Sequence, residues 1–230
     1  MRRLALFSLV PALAAAPLAA QTFEGTISLK LPMGGETMSD VQYLVRGEKT
    51  VILMTLPASA GPMAGKEMRM IVDNPAMTMT ILIATELMGG KGIKMVTDLN
   101  KVAADAGKTA VTVKELHTSE TIAGYKCDNF EVTAGKEVTV VCMSKDLGRF
   151  TFPGGNPMGG RGRGNGAPSW AMLFATHPGF PLKATDANGK TGMVVTGVKK
   201  GGVSSDEFMI PDGYMDMGGM RGMGGRGGGF

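Results

Sequence analysis

Polar and apolar residues alternate along most of the chain beyond position 21. Over 22–31, Phe23, Ile27, Leu29 and Leu31 share one side of a period-two pattern, which is typical of a half-buried β-strand. The alternation recurs in short segments, separated by turn signals, to about residue 200. With little helical periodicity between these segments, the pattern predicts a mainly β (α+β) fold built on an antiparallel sheet that is curved or partly closed.

Residues 68–83 form the most informative predicted hairpin. Asp73-Asn74-Pro75-Ala76 is a strong turn signal, and with these four residues as the loop Val72 faces Met77. One strand face then carries Met68, Met70, Val72, Met77, Met79, Ile81 and Ile83. Such a face is either packed core, the commonest fate of an apolar strand face, or the wall of an apolar cavity that flexible Met side chains adapt to its contents.

The start of the chain has the pattern of a secretory signal peptide. Arg2 and Arg3 precede an apolar run from Leu4 to Leu13, and a small-residue stretch ends at Ala20. No later apolar run reaches membrane-spanning length. We therefore expect residues 1–20 to be removed and the protein to be periplasmic or secreted, with no membrane span.

Two Gly-rich stretches, 153–168 and 215–230, are predicted to be disordered. They leave a single β-rich domain over 21–214, with the first stretch as an insertion and the second as a tail. After the insertion, the segment from Trp170 to Phe174 is predicted to form a helical plug.

The net charge of +4 lies mainly outside this domain. Without the leader and the two Gly-rich stretches, 18 basic residues stand against 19 acidic ones. Nucleic-acid recognition needs clustered basic groups with stacking aromatic residues, and three Tyr and one Trp do not supply it. We expect no nucleic-acid partner.

The two cysteines, Cys127 and Cys142, lie symmetrically about Ala134-Gly135. With Thr133 to Lys136 as the loop they are directly opposite in a hairpin, and an oxidising compartment favours a disulfide between them. The alternative is a redox or metal-binding pair, but redox motifs usually space their cysteines two apart, and a thiolate metal site needs further ligands.

No catalytic motif is apparent in the sequence. His117 and His177 stand apart from any nucleophile, and no G-x-S-x-G, H-E-x-x-H or phosphate-binding loop occurs. The sequence indicates a protein that is not an enzyme and implies no cofactor. An alternative chemistry lies in the tail, where Met215, Met217, Met220 and Met223 have a spacing that suits a soft metal such as Cu(I).

Several segments together resemble a family of exported bacterial domains of unknown function (DUF4412-like). They are Phe23-Glu24-Gly25, the hairpin around Asp73-Asn74-Pro75, the stretch 121–127 (TIAGYKC) and the stretch 208–214 (FMIPDGY). The family in turn resembles the LolA/LolB-type lipoprotein carriers. That resemblance implies a LolA-like, half-open β-barrel around a hydrophobic cavity, with short helices as a lid.

The function expected from the sequence is binding of an apolar ligand, such as a lipid, an acyl chain or a lipoprotein tail. The ligand would lie in a cavity lined by the predicted Met-rich face together with Trp170 and Phe174. Two alternatives are a copper-binding tail and an envelope scaffold with a filled core, whose flexible segments contact other envelope proteins.

Overall fold

One twelve-stranded sheet makes up nearly all of the regular structure in the computed structural model, which describes residues 23–32, 37–85, 92–100, 111–150, 173 and 177–217. In chain order the strands are β1 (Gly25–Pro32), β2 (Met38–Arg46), β3 (Lys49–Thr55), β4 (Glu67–Asp73), β5 (Thr78–Ala84), β6 (Gly92–Asp98), β7 (Val111–Ile122), β8 (Tyr125–Ala134), β9 (Glu137–Ser144), β10 (Phe180–Asp186), β11 (Thr191–Lys200) and β12 (Tyr214–Asp216).

The sheet consists of two meanders joined by their outer strands. β1 to β6 follow one another in space, and so do β7 to β11, while β1 pairs antiparallel with β11 to connect the two halves. At the far edge β12 adds to β6 in parallel, the exception among the described pairs. The sheet is curved and unclosed, since it ends at β12 on one side and at β7 on the other.

The inner face of the sheet carries the main apolar core. Alternation along each strand places one side chain in two on this face, for example Ile27 and Leu29 of β1 and Val41 and Tyr43 of β2. Tyr43 stacks on Phe150 with ring centroids 5.4 Å apart, and both rings meet Phe180 edge-on. These aromatic rings fix the segment after β9 against the centre of the sheet.

The outer face carries a second, smaller apolar cluster on the first meander. Leu44, Val51, Ile71 and Leu82 come from four successive strands, β2 to β5, and are buried. They are covered by the segment that leaves β11 and runs to β12, which contributes Val203, Phe208 and Tyr214. β2 to β5 therefore carry buried apolar residues on both faces.

The predicted antiparallel β architecture is confirmed, whereas helices are few. The described residues include two short 3-10 turns, Ala58–Met63 and Ser205–Phe208. Leu173, in the predicted plug, is helical and fully buried. Trp170 and Phe174 lie outside the described residues, as does the insertion at 153–168. No described helix is long and apolar enough to cross a membrane.

The domain extends further than predicted at its C-terminal end. Met215 and Asp216 belong to β12, and the backbone N–H of Met217 donates to the carbonyl of Lys94 at 2.9 Å. Our prediction of a disordered tail from residue 215 onwards is therefore wrong for 215–217, because these residues obtain backbone hydrogen bonds from the edge of β6.

Candidate functional site

The Met-rich hairpin is formed by β4 and β5, in a register shifted by two residues from the predicted one. Val72 pairs with Met79, Met70 with Ile81 and Met68 with Ile83. A shift of two preserves the alternation, so six of the seven predicted residues do share the inner face. We call these six the methionine wall: Met68, Met70, Val72, Met79, Ile81 and Ile83.

Met77 is the exception among the seven predicted residues. It lies in the turn with φ of +50° and is 38% exposed. Its N–H donates to the carbonyl of Asn74, and its own carbonyl accepts from Leu99 N–H at 2.9 Å. The loop therefore comprises Asn74 to Met77 rather than Asp73 to Ala76, and Met77 is a turn residue instead of part of the wall.

The turn is held by a small polar network. The Asp73 carboxylate accepts from Ala76 N–H at 3.1 Å and pairs with the Lys49 ammonium at 3.1 Å. The Ala76 hydrogen bond, and then Lys49, lower the pKa of Asp73. Asn74 Nδ2 donates to the carbonyl of Glu48 at 2.9 Å, which ties this turn to the neighbouring β2–β3 turn.

Neighbouring strands extend the methionine wall on both sides. On β3, Met54 pairs with Met68 and Ile52 with Met70. On β6, Ile93 and Met95 pair with Ile83 and Ile81 and pack against the same core. The result is a continuous apolar surface across four strands, with thioether groups at its centre.

The methionine wall is closed to solvent in this structure. Each of its six residues is at most 4% exposed, and all belong to one cluster with Leu147, Phe150 and Leu173. The inner face is thus a packed core rather than an open surface, and a ligand would have to replace side chains that cover it now.

An open groove of about 420 Å³ lies at another place. It is bounded by the β2–β3 turn, the β4–β5 turn and the 3-10 turn Ser205–Phe208, with Arg46, Lys49, Pro75, Phe208 and Met209 among its lining residues. Its walls mix charged and apolar groups. The sequence pattern did not predict it, because it depends on a turn more than a hundred residues further along the chain.

The disulfide is confirmed: Cys127 and Cys142 are bonded, with Cα atoms 5.2 Å apart. The predicted register of the β8–β9 hairpin is wrong by two residues. Cys142 pairs with Asn129 rather than with Cys127, and the turn consists of the two residues Gly135 and Lys136. Both cysteines are fully buried, a setting that is typical of structural rather than reactive cysteines.

The disulfide lies near the tip of the β7–β8 ribbon, where Cys127 of β8 pairs with Glu120 of β7. Glu120 of β7 contacts the Lys183 ammonium on β10, although β8 and β9 separate these strands in the sheet. A bulge between Glu115 and Ser119, with His117 at φ +53°, precedes the tip. Lys200 of β11 lies 5.7 Å from the Tyr125 ring centroid. The tip thus reaches over β9 to β10 and β11.

The histidines and the tail form no recognisable catalytic or metal centre in the part of the chain that the structure describes. The side chain of His117 is 83% exposed with Glu115 at 3.8 Å, and the ring of His177 lies 5.0 Å from that of Phe130. Among the described residues, no three His, Cys, Asp or Glu side chains cluster. Met215 pairs with Ile93, while Met220 and Met223 lie outside the described residues, so copper binding stays a prediction.

Comparison with known proteins identifies the family. Residues 23–214 match the model of the "Domain of unknown function (DUF4412)". The chain belongs to the DUF4412 family. The match begins two residues before β1 and ends at the first residue of β12, so the family domain spans the whole twelve-stranded sheet up to its last short strand. No curated protein matches the chain.

Two solved structures of PNGF-II also match. The one in the C2 space group has a TM-score of 0.49 at 15% identity, covering 85% of this chain and 31% of the other. The one in the P21 space group has a TM-score of 0.49 at 13% identity, covering 88% and 32%. The chain thus spans about a third of the length of these structures. The resemblance to LolA/LolB-type carriers stays a prediction.

Proposed function

We propose that this DUF4412 protein is an exported, non-enzymatic protein that binds an apolar ligand, such as a lipid, an acyl chain or a lipoprotein tail, against its methionine wall. The observation that carries the proposal is the continuous Met, Ile and Val surface on the inner side of a curved sheet that does not close. An unclosed sheet leaves an edge at which such a ligand can enter.

Methionine suits this task for a physical reason. Its side chain is unbranched and its thioether is polarizable, so it can adjust to chains of different shape at low cost. Met54, Met68, Met70, Met79 and Met95 lie at neighbouring positions on β3 to β6. Burial of an acyl chain against them would contribute about 0.8 kcal/mol for each CH₂ group.

Binding would require movement of the segment that now covers the core. The described residues outside the strands that belong to this core include Leu147, Phe150 and Leu173, all of them buried. Phe150 N–H donates to the carbonyl of Gly179 at 3.0 Å. The ligand would replace the contacts of Leu147 and Phe150 with its own hydrocarbon, so the net affinity depends on the difference between the two sets of contacts.

Export and the absence of catalysis rest on the sequence. The leader pattern of residues 1–20 supports export, and the lack of a nucleophile-and-base arrangement supports a binding role. The disulfide between Cys127 and Cys142 is consistent with an oxidising compartment.

A second candidate is an envelope scaffold whose core is permanently filled. The near-zero exposure of the methionine wall favours it, because a packed interior needs no ligand. In that case the exposed turns and Gly-rich segments would contact partner proteins.

The decisive experiment is identification of what the protein carries. We would purify it from the periplasm, examine it by native mass spectrometry and lipid extraction, and titrate it with fluorescent fatty acids of different length. The proposal predicts bound lipid, and an affinity that rises about tenfold for every two added CH₂ groups.

Two matched variants test whether fatty acids bind at the methionine wall or elsewhere on the protein. Met70→Gln, in the wall, should weaken fatty-acid binding at least tenfold, whereas Met77→Gln, in the exposed turn, should leave it unchanged. Absence of bound lipid together with no binding of any fatty acid would exclude the carrier role and leave the scaffold.

A further inference from the structure

The last described part of the chain is an arm laid across the outer face of the sheet. We define the C-terminal arm as residues 203–217. It starts beside β11, passes over the outer side of β3, and ends as β12 on the edge of β6. It therefore connects the middle of the sheet to its far edge without entering the core.

The contacts of the arm are specific but modest. Val203, Phe208 and Tyr214 are half-buried on the outer cluster, whose residues Leu44, Val51, Ile71 and Leu82 are themselves buried. Three residues of β12 pair with Gly92 to Lys94. The outer cluster and the edge of β6 together form a docking site that this segment of the chain occupies.

Two ion pairs fix the position of the arm. The guanidinium of Arg69 on β4 lies 3.2 Å from the Glu207 carboxylate, and it also donates to the Glu207 carbonyl at 3.4 Å. The Lys94 ammonium on β6 lies 3.3 Å from the Asp216 carboxylate. In both pairs the sheet provides the cation and the arm provides the anion.

The arm is attached to the sheet through a glycine joint. Gly201 and Gly202 precede it with φ of +70° and +76°, values that glycine reaches at no steric cost. Gly201 N–H donates to the carbonyl of Glu24 at 2.8 Å. Rotation at this glycine pair can turn the arm away from its own sheet and leave β1 to β11 paired.

We propose that the docking site also accepts the arm of a second copy of this chain, so that two molecules exchange arms and form a dimer. The second copy is the occupant that the surface fits, since its arm brings the same apolar side chains, the same two carboxylates and the same strand. Contacts made within one chain and between two chains are then identical, and protein concentration shifts the balance between them.

Complementary charge reversals test the exchange in the full-length protein. In Glu207→Arg the new cation on the arm meets Arg69, and in Arg69→Glu the carboxylate of the arm meets a new carboxylate on β4. Neither chain can form its own ion pair between positions 69 and 207. In an equimolar mixture, however, exchange of arms pairs the introduced arginine of one copy with the introduced glutamate of the other, and the unchanged Glu207 with the unchanged Arg69 in return.

Native mass spectrometry distinguishes the species by mass after concentrated mixtures are held just below the unfolding transition. We expect the heterodimer to exceed each homodimer about tenfold, as two restored ion pairs imply. The double variant Arg69→Glu/Glu207→Arg restores the pair within one chain, and it should fold and dimerise only as much as the wild type does.

Two results would overturn the exchange of arms. If the mixture contains only the two monomers, or if the two homodimers and the heterodimer form in the 1:2:1 proportion of random pairing, the Arg69–Glu207 contact is not exchanged between copies and the proposal is overturned. A failure of lipid binding would leave this proposal untouched, because the contacts that would be exchanged are those to the outer cluster and to the edge of β6, not those to the methionine wall.

Discussion

Met77 and Met79 show how closely the fate of a methionine depends on the turn beside it. They are two residues apart in a segment that alternates throughout, and the sequence pattern predicts the same face for both. Met79 is 4% exposed in the core, whereas Met77 is 38% exposed in the turn with a left-handed backbone. The difference arises because the tight turn begins at Asn74, one residue later than predicted.

This difference predicts unequal costs of truncation. Met79→Ala should lower the free energy of unfolding by about 2–5 kcal/mol, because it leaves a cavity in the core. Met77→Ala should change it by no more than about 0.5 kcal/mol. Urea unfolding followed by fluorescence measures both, with Met79→Leu as a volume-conserving control that costs less than about 1.5 kcal/mol. Equal costs at 77 and 79 would contradict the observed register.

The stability of the same turn depends on pH through the Asp73 carboxyl group. Its folded-state pKa lies below the ordinary value of 3.8, mainly because Ala76 N–H and then Lys49 favour the carboxylate. A depressed pKa in the folded state means that the charged form stabilises the fold above the unfolded pKa. This contribution is lost as the pH falls through the folded pKa.

We therefore expect Asp73→Asn to be less stable than the wild type at neutral pH, because asparagine keeps the Ala76 hydrogen bond but loses the charge. The difference between the two proteins should shrink as the pH falls below 3.8. Unfolding curves over a pH series measure it, and NMR titration of the Asp73 carboxyl gives the pKa directly. A difference that grows in acid would show that Asp73 does not act through its charge.

At the scale of elements, the β7–β8 ribbon depends on its covalent link. Its tip contacts Lys183 of β10 and Lys200 of β11, and Cys127 pairs with Glu120 close to this tip. The bond closes a loop with a sequence separation of 15 residues. In the chain-entropy model such a loop contributes about 3 kcal/mol to stability.

Replacement of both cysteines by Ala should thus lower the free energy of unfolding by about 3 kcal/mol and speed up hydrogen exchange in 119–126. Glu120→Gln, which removes only the partly exposed ion pair to Lys183, should cost at most about 1 kcal/mol. Unfolding in guanidinium and exchange detected by mass spectrometry check both values. If the two variants behave alike, the disulfide is not what holds the tip.

The contact between β6 and β12 depends on a glycine. Gly92 has φ of +157°, and a Cβ there would come within 2.4 Å of the Ile83 carbonyl and 2.6 Å of the Tyr214 ring. Gly135 also has positive φ, but a Cβ at that position meets nothing within 4 Å. An alanine at 135 therefore tests only the cost of the positive φ, whereas an alanine at 92 adds the cost of a steric clash.

Gly135→Ala should cost about 1 kcal/mol, the effect of a left-handed conformation alone. Gly92→Ala should cost at least about 2 kcal/mol more, because a backbone carbonyl cannot move aside. It should also expose the C-terminal arm to proteases. Thermal unfolding and limited proteolysis measure the two effects, and similar values for both variants would contradict the close approach of the Ile83 carbonyl and the Tyr214 ring to Gly92.

For the whole molecule, the sequence predicted the class of fold and the two faces of the hairpins, because alternation of side chains depends only on local periodicity. Both hairpin registers were wrong by two residues, since several turn lengths fit the same turn residues. The shifts left the faces unchanged, which is why six wall residues and the disulfide were predicted and Met77 was misplaced.

The outer cluster and β12 escaped prediction for another reason. Ile71 and Leu82 alternate with the wall residues and so lie on the opposite face of the hairpin, but nothing near them in the sequence indicates what covers them. Their cover, Phe208, comes from more than a hundred residues away. The available signal was an apolar residue on the outer face of each of β2 to β5, in addition to the apolar inner face, since a strand with apolar residues on both faces is usually covered on both sides.

The pairing of β1 with β11, which connects the two meanders, sets the order in which the molecule can assemble. Neighbours within each meander are close in the chain, whereas Gly25 of the first strand pairs with Lys200 of the eleventh. Local hairpins gain their contacts early, but this seam closes a loop of nearly the entire domain and so forms late. Until synthesis reaches the eleventh strand, the first has no permanent neighbour on one side. An emerging chain must therefore keep that edge unpaired, with Ile27 and Leu29 beside it, until its own last long strand arrives.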